Sequence, residues 1–154
     1  MIRWRTLAVH HGAQERGRSE IFADYHLRIG EVSADTHLPA GHTLGHDRFD
    51  ITVSGPTVAT IVEVQASDQD WPGASLAHYT GAVGLADAEC FASITTPDKM
   101  LVLAAWLSEA ALVAWQASRP RPPAAVARHR EVRIIRDYGM RDRHEAPQYY
   151  PPLR

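Results

Sequence analysis

The clearest patterning of apolar and polar positions lies in the middle of the chain. Residues 57–65 (TVATIVEVQ) are β-branched and apolar, are set off by Gly55 and Pro56, and predict a strand. Residues 67–73 form a polar turn that carries Trp71 and Pro72. Residues 74–89 read as a helix, with Leu76, Tyr79, Val83 and Ala86 at three- and four-residue steps. Gly81 and Gly84 lower its propensity, but they allow close approach of a sheet or a ligand. A short strand at 90–96 (CFASITT) runs into Thr-Pro-Asp-Lys, a turn sequence with proline in place. Residues 100–106 (MLVLAAW) then predict a buried strand that completes a hairpin. Ser108 is a natural N-cap, and Glu109 sits in a first turn where the helix dipole favours an anion. The helix it opens, 109–118, turns Leu112 and Trp115 toward the core until the prolines within 119–123 stop it. Residues 128–138 (RHREVRIIRDY) supply the last strand.

The order over 57–138 is therefore β-α-β-β-α-β, the split βαβ arrangement of an α+β, ferredoxin-like domain. The N-terminal third differs. Residues 3–18 read as a helix, and 19–32 as a passage from helix to strand. Within it Ile21, Ala23, Tyr25, Leu27 and Ile29 alternate with Asp24, His26 and Arg28, the mark of a half-buried strand. A helix and a strand alone cannot bury an apolar face, so this unit is expected to pack on the second domain or on another chain. The division expected is a partial repeat at 1–34, a linker at 35–56 with a short strand at 49–53, a full domain at 57–140 and a tail at 141–154.

Composition changes this picture little. With 154 residues, 45% hydrophobic and 22% charged, the chain is long enough for a proper core and resembles an ordinary globular protein. A formal net charge of −2 offers no electrostatic reason to expect nucleic acid or an anionic membrane as a partner. No apolar run approaches the roughly 20 residues that span a bilayer, and MIRWRTLAVHHG lacks the apolar stretch of a secretory signal. One cysteine, Cys90, excludes an intramolecular disulfide and reads as core filler. A cytoplasmic protein is expected. A glycine-rich phosphate loop, a G-x-S-x-G elbow and H-E-x-x-H are all missing from the sequence, so nucleotide cofactors and serine or zinc hydrolysis are not indicated.

Two stretches carry a resemblance. The first is Trp4-Arg5, His10, Ala13-Gln14, Gly17-Arg18, Phe22-Ala23-Asp24-Tyr25 and Leu27-Arg28-Ile29. The second runs from Phe91 through Thr95-Thr96-Pro97-Asp98-Lys99, Trp106, Glu109-Ala110 and Trp115 to Arg136-Asp137-Tyr138-Gly139-Met140, Asp142-Arg143 and Ala146-Pro147. As an ordered set they resemble the antibiotic biosynthesis monooxygenase family, whose members are dimeric ferredoxin-like α/β barrels. The resemblance implies a homodimer and a small aromatic or polyketide-like substrate. It also implies oxygenation without metal or flavin, or else, in a haem-binding or haem-degrading branch, a haem cofactor; a non-catalytic binding protein is the third reading. The chain departs from the family where His-x-x-Ala-Gln-x-x-Gly-Arg follows Trp4 rather than Trp115, as if a truncated repeat preceded a clipped one.

Candidate site residues follow. Trp106 resembles the family's pocket-lining tryptophan, although a tryptophan at a strand–helix junction is by default core. His10, Gln14 and Arg18 fall at i, i+4 and i+8 and share a helix face. On that face His10 suits a general base, or in the haem branch an axial ligand, and the plain alternative is a solvated polar face. Tyr79 and Trp115 lie on apolar stripes and read as core or as substrate-binding walls, and Trp71 as a rim or core ring. His37, His42 and His46 form a histidine-rich loop, but their spacing imposes no metal geometry and no metal site is expected.

Overall fold

The computed structural model describes residues 8–65, 76–118 and 127–146. Helix α1 (Ala8–Arg16) passes into a single π-helical turn, Gly17–Ile21. Five strands and a second helix follow: β1 (His26–Asp35), β2 (Val58–Gln65), β3 (Leu85–Ala92), β4 (Lys99–Trp106), α2 (Glu109–Ser118) and β5 (Ala127–Gly139). The strands form one antiparallel sheet in the order β1-β5-β2-β4-β3. The N-terminal strand is thus an edge of the same sheet as the rest, and it runs to Asp35, beyond the expected end at residue 32 and one residue into the expected linker. Residues 36–57 hold no regular strand; at 49–53 a single backbone bond, Thr52 N–H to Ile134 O at 3.1 Å, stands where a short strand is expected.

The core lies between one face of the sheet and α2. Val58, Val102, Ala104 and Trp106 point to that face at the two-residue period of a strand, and Tyr79 and Leu112 close it. Helix α2 starts as its sequence demands, with Ser108 Oγ accepting from Ala111 N–H at 3.2 Å. The β3–β4 hairpin turns where proline placed it, and Asp98 there adopts φ 59°, a conformation a short polar side chain tolerates.

The helix expected over 74–89 is corrected. Residues 66–75 lie outside the described residues. Beyond them the chain shows a helical turn at 76–77, a turn at 78–81, and then β3 from Leu85. Gly81 and Gly84 take φ 75° and 79°, which no helix continues through. Gly84 has a further duty, since a Cβ there would meet the Ala111 Cβ at 2.4 Å, so only glycine lets α2 sit this close.

Strand β5 extends past the start of β2: its last ladder pair with β2 is Arg133–Val58, Ile134 still bonds to Thr57 O and Thr52 N–H, and residues 136–139 pair in the sheet with β1 alone. Register shifts in β1, one beside Gly30, bend this two-stranded arm. Gly30 is required there because a Cβ would meet Arg133 O at 2.4 Å. Arg28 on β1 donates to Asp137 on β5 at 3.2 Å and to Asp87 on β3 at 2.7 Å. Strands β1 and β3 are opposite edges, so these bonds require the sheet to curl until its edges approach at this end.

Candidate active site

Two groups of aromatic side chains stand apart in the structure. The first surrounds Trp106, which is fully buried at the end of β4 and donates its indole N–H to Thr60 Oγ1 at 3.3 Å. The rings of Tyr79 and Trp115 stack with centroids 4.8 Å apart, and Trp115 lies 5.0 Å from Trp106. Burial pushes the Tyr79 hydroxyl up from its ordinary pKa, against a hydrogen bond with Thr60, so it stays a neutral phenol. Cys90 packs half-buried against the same cluster, and burial raises its thiol as well. Rings packed in this way form an interior.

The second group lines a cleft of about 430 Å³ between the end of α1 and the β1–β5 arm. Phe22, Tyr25, Leu27 and Tyr138 form its apolar walls, Ala13 and Gly17 part of its surface, and Gln14, Arg18, His26 and Arg143 its polar groups. The π turn shapes one wall. Its widened bond, Phe22 N–H to Gly17 O at 2.8 Å, ends the helix with Phe22 extended and its ring 3.2 Å from where a Gly17 Cβ would stand. Strand β1 contributes His26 and Leu27, and β5 contributes Tyr138. Arg143 comes from the loop that follows, tied down by Gly139 N–H to Asp142 O at 2.7 Å and by Glu145. Glu145 accepts bonds from Thr52 Oγ1 and the backbone N–H groups of Val53, Ser54 and Asp137. Burial opposes its charge, but these donors prevail and hold its carboxyl below the usual range.

At the cleft edge His26 Nε2 hydrogen-bonds to Asp137 Oδ1. An ionised carboxylate only accepts, so Nε2 is the donor, and in the neutral imidazole with this tautomer Nδ1 carries the lone pair. The Asp137 side chain is 7% exposed, against 53% for His26, which leaves the imidazole as the reachable member of the pair. The Arg143 guanidinium donates to the Tyr25 hydroxyl and stands 5.9 Å from the centre of the Tyr138 ring. The carbonyl oxygen of the Gln14 side chain is buried and has no hydrogen-bond partner among the described residues.

The structure brings Gln14 and Arg18 together in the cleft, as the i, i+4 spacing requires. It places Trp106, Tyr79 and Trp115 together elsewhere, and none of them lines the cleft. His10 falls on α1, but its side chain, like Trp71, is outside the described residues. His37, His42 and His46 are exposed, and among the described residues no three metal-ligating side chains are grouped to share an ion. His26 and Asp137 are missed by sequence reasoning, as are the walls Phe22, Tyr25 and Tyr138. All but His26 stand in the ordered set of matching residues, whereas His26 reads only as the polar side of a strand.

No family model matches the chain, and no solved structure does. A protein of Pyricularia oryzae named jasmonate monooxygenase ABM is 34% identical over 164 residues, which cover 99% of this chain and 71% of that relative. On that relationship, carried by a five-stranded antiparallel α+β sheet, the chain belongs to the antibiotic biosynthesis monooxygenase family.

Proposed function

We propose that this protein is a monooxygenase that oxidises an aromatic or polyketide-like small molecule in the cleft between α1 and the β1–β5 arm, without a metal or flavin. Its relative's name supports a monooxygenase-type reaction. The observation that carries the reading is the His26–Asp137 pair at the edge of a cleft walled by Phe22, Tyr25 and Tyr138. Flat apolar walls with few polar handles suit a planar substrate.

In the cofactor-free reaction the substrate is the reductant. A methylene made acidic by a neighbouring carbonyl or phenol loses a proton to His26 Nδ1, and Asp137 stabilises the imidazolium. The resulting carbanion gives electrons to O2. Oxidation of CH2 to C=O releases four electrons, one oxygen atom enters the substrate, and the other leaves as water with the two hydrogens. Gln14 offers an acceptor for a substrate hydroxyl, and the walls keep water from the carbanion.

Oxygen uptake with small polycyclic phenols, in buffer freed of metal and flavin, tests this. One labelled atom from 18O2 is expected in the product, and His26→Ala is expected to slow the reaction by about 100-fold or more. Unchanged turnover in that variant would remove the base from the proposal. A shifted, ligated Soret band on titration with haem would replace the cofactor-free reading by the haem-binding one.

The same reading includes a homodimer. Ile21 and Ile29 are 65% and 36% exposed on the π turn and the edge strand β1, apolar surface outside the cleft lining that a second copy would cover. Light scattering after size exclusion is expected to give twice the chain mass, and a stable monomer overturns it.

A further inference from the structure

The arginines divide sharply by partner. Among the described residues Arg16, Arg28, Arg48, Arg128, Arg130, Arg133 and Arg136 each have a carboxylate within ion-pair distance. Arg141 is exposed. Arg18 and Arg143 are half-buried, have no carboxylate partner among the described residues, and line the same cleft. No aspartate or glutamate lines that cleft, and Asp137, which meets His26 at its edge, is already shared by His26 and Arg28. Two guanidinium groups thus line one largely apolar space without a carboxylate partner among the described residues, and a bound anion would supply the opposite charge.

We infer that the cleft selects an anionic amphipathic ligand: a small molecule with an apolar body against Phe22, Leu27 and Tyr138, and a carboxylate held by Arg18 and Arg143. Guanidinium forks match the two oxygens of a carboxylate. Arg143 is pre-aimed by its bond to the Tyr25 hydroxyl and by its place beside the Tyr138 ring, so little order is lost when the anion binds. Gln14 reads the body of the ligand through a hydroxyl or N–H, because its free carbonyl oxygen accepts. The inference rests on the proposed cleft being the ligand site, and it names the class of molecule that enters.

The test compares 1-naphthylacetate with its neutral isostere 1-naphthylacetamide by calorimetric titration of the whole chain at low ionic strength. The acid is expected to bind about 10- to 100-fold more tightly than the amide. Arg18→Gln and Arg143→Gln are each expected to shrink that ratio, whereas Phe22→Ala is expected to weaken both probes alike. The comparison within the wild-type protein needs no variant, so a variant that fails to fold leaves the test standing. Equal affinities that both fall in Phe22→Ala overturn the anion preference and leave the cleft as the ligand site. A preference for the acid that survives both arginine variants also overturns it, because the anion then sits elsewhere, and binding of neither probe overturns inference and cleft together. A preference for the acid without oxygen uptake on any carboxylate sinks the oxygenase reading alone.

Discussion

The two aromatic groups are built from similar residues and do opposite things. Around Trp106, the rings of Tyr79 and Trp115 pack on it and on each other between the sheet and α2, and the one hydroxyl present is spent on Thr60, while the buried Trp115 indole N–H has no partner among the described residues. Around Phe22, the rings of Phe22 and Tyr25 meet edge to face with centroids 6.1 Å apart, but with Tyr138 they leave an open cleft, and the polar groups lining it include a histidine on a buried aspartate and two arginines without a carboxylate partner among the described residues. Aromatic content therefore does not separate interior from site. What separates them is whether the rings fill the space between them and whether charged side chains face that space. A packed cluster stabilises the fold, whereas an open one with unsatisfied cations and acceptors is completed only by a ligand.

The contrast can be broken by experiment, and the largest effect is expected at its structural pole. Trp106→Ala should destabilise the fold by about 3–5 kcal/mol, because it removes the largest fully buried side chain and leaves a cavity. Urea denaturation measures this, and a loss near 1 kcal/mol would mean that Trp106 borders an open pocket after all. Next comes Gly84→Ala, which forces a Cβ into Ala111 and a side chain onto a positive φ, for a cost of about 2 kcal/mol. Phe22→Ala should cost about 1 kcal/mol or less, since the ring is 54% exposed, while weakening probe binding about tenfold. Equal destabilisation by Phe22→Ala and Trp106→Ala would erase the distinction between the two regions.

The smallest effect lies at the far end of the β1–β5 pair from the cleft, and it is visible only in acid. Arg128 holds Asp35 through two bonds, 3.0 and 2.6 Å, and these bring its carboxyl down to about 2 from an ordinary 3.8, against the opposing effect of burial. A lowered pKa stabilises the fold above the unfolded value, and the contribution disappears as pH falls toward 2. Thermal melts of the wild type and Asp35→Asn should therefore differ at pH 7 and converge near pH 2. A gap that does not change with pH would show that the pair does not tie β1 to the sheet.

Local signals in the sequence were read where local physics decides. Helix 109–118 was legible to the residue because Ser108 caps it and prolines follow. Strands β2, β4 and β5 were legible within a residue, β2 and β4 from their β-branched and apolar runs and the turn residues that bound them. Strand β3 was legible only in part: a strand is expected at 90–96, whereas it spans Leu85–Ala92. Residues 85–89 suit the end of a helix by spacing, and only pairing with β4 makes them strand, after two glycines with positive φ have ended the preceding turn. In the same way Gln14 and Arg18 could be placed on one face by counting, but nothing local links them to His26, Tyr138 or Arg143.

The sequence by itself determined the α+β composition, the capped helix, the central hairpin, the family and one face of the cleft. The tertiary structure decided that the N-terminal strand is an edge of a single sheet, because β5 outruns β2 and leaves residues 136–139 to pair with β1. It also decided that Trp106 is interior and that the cleft lies where α1 meets the arm. Both outcomes depend on contacts between residues more than a hundred positions apart, such as His26 with Asp137 and Arg143 with Tyr25. No period, cap or turn along the chain encodes a contact of that range, and only closure of the sheet creates it.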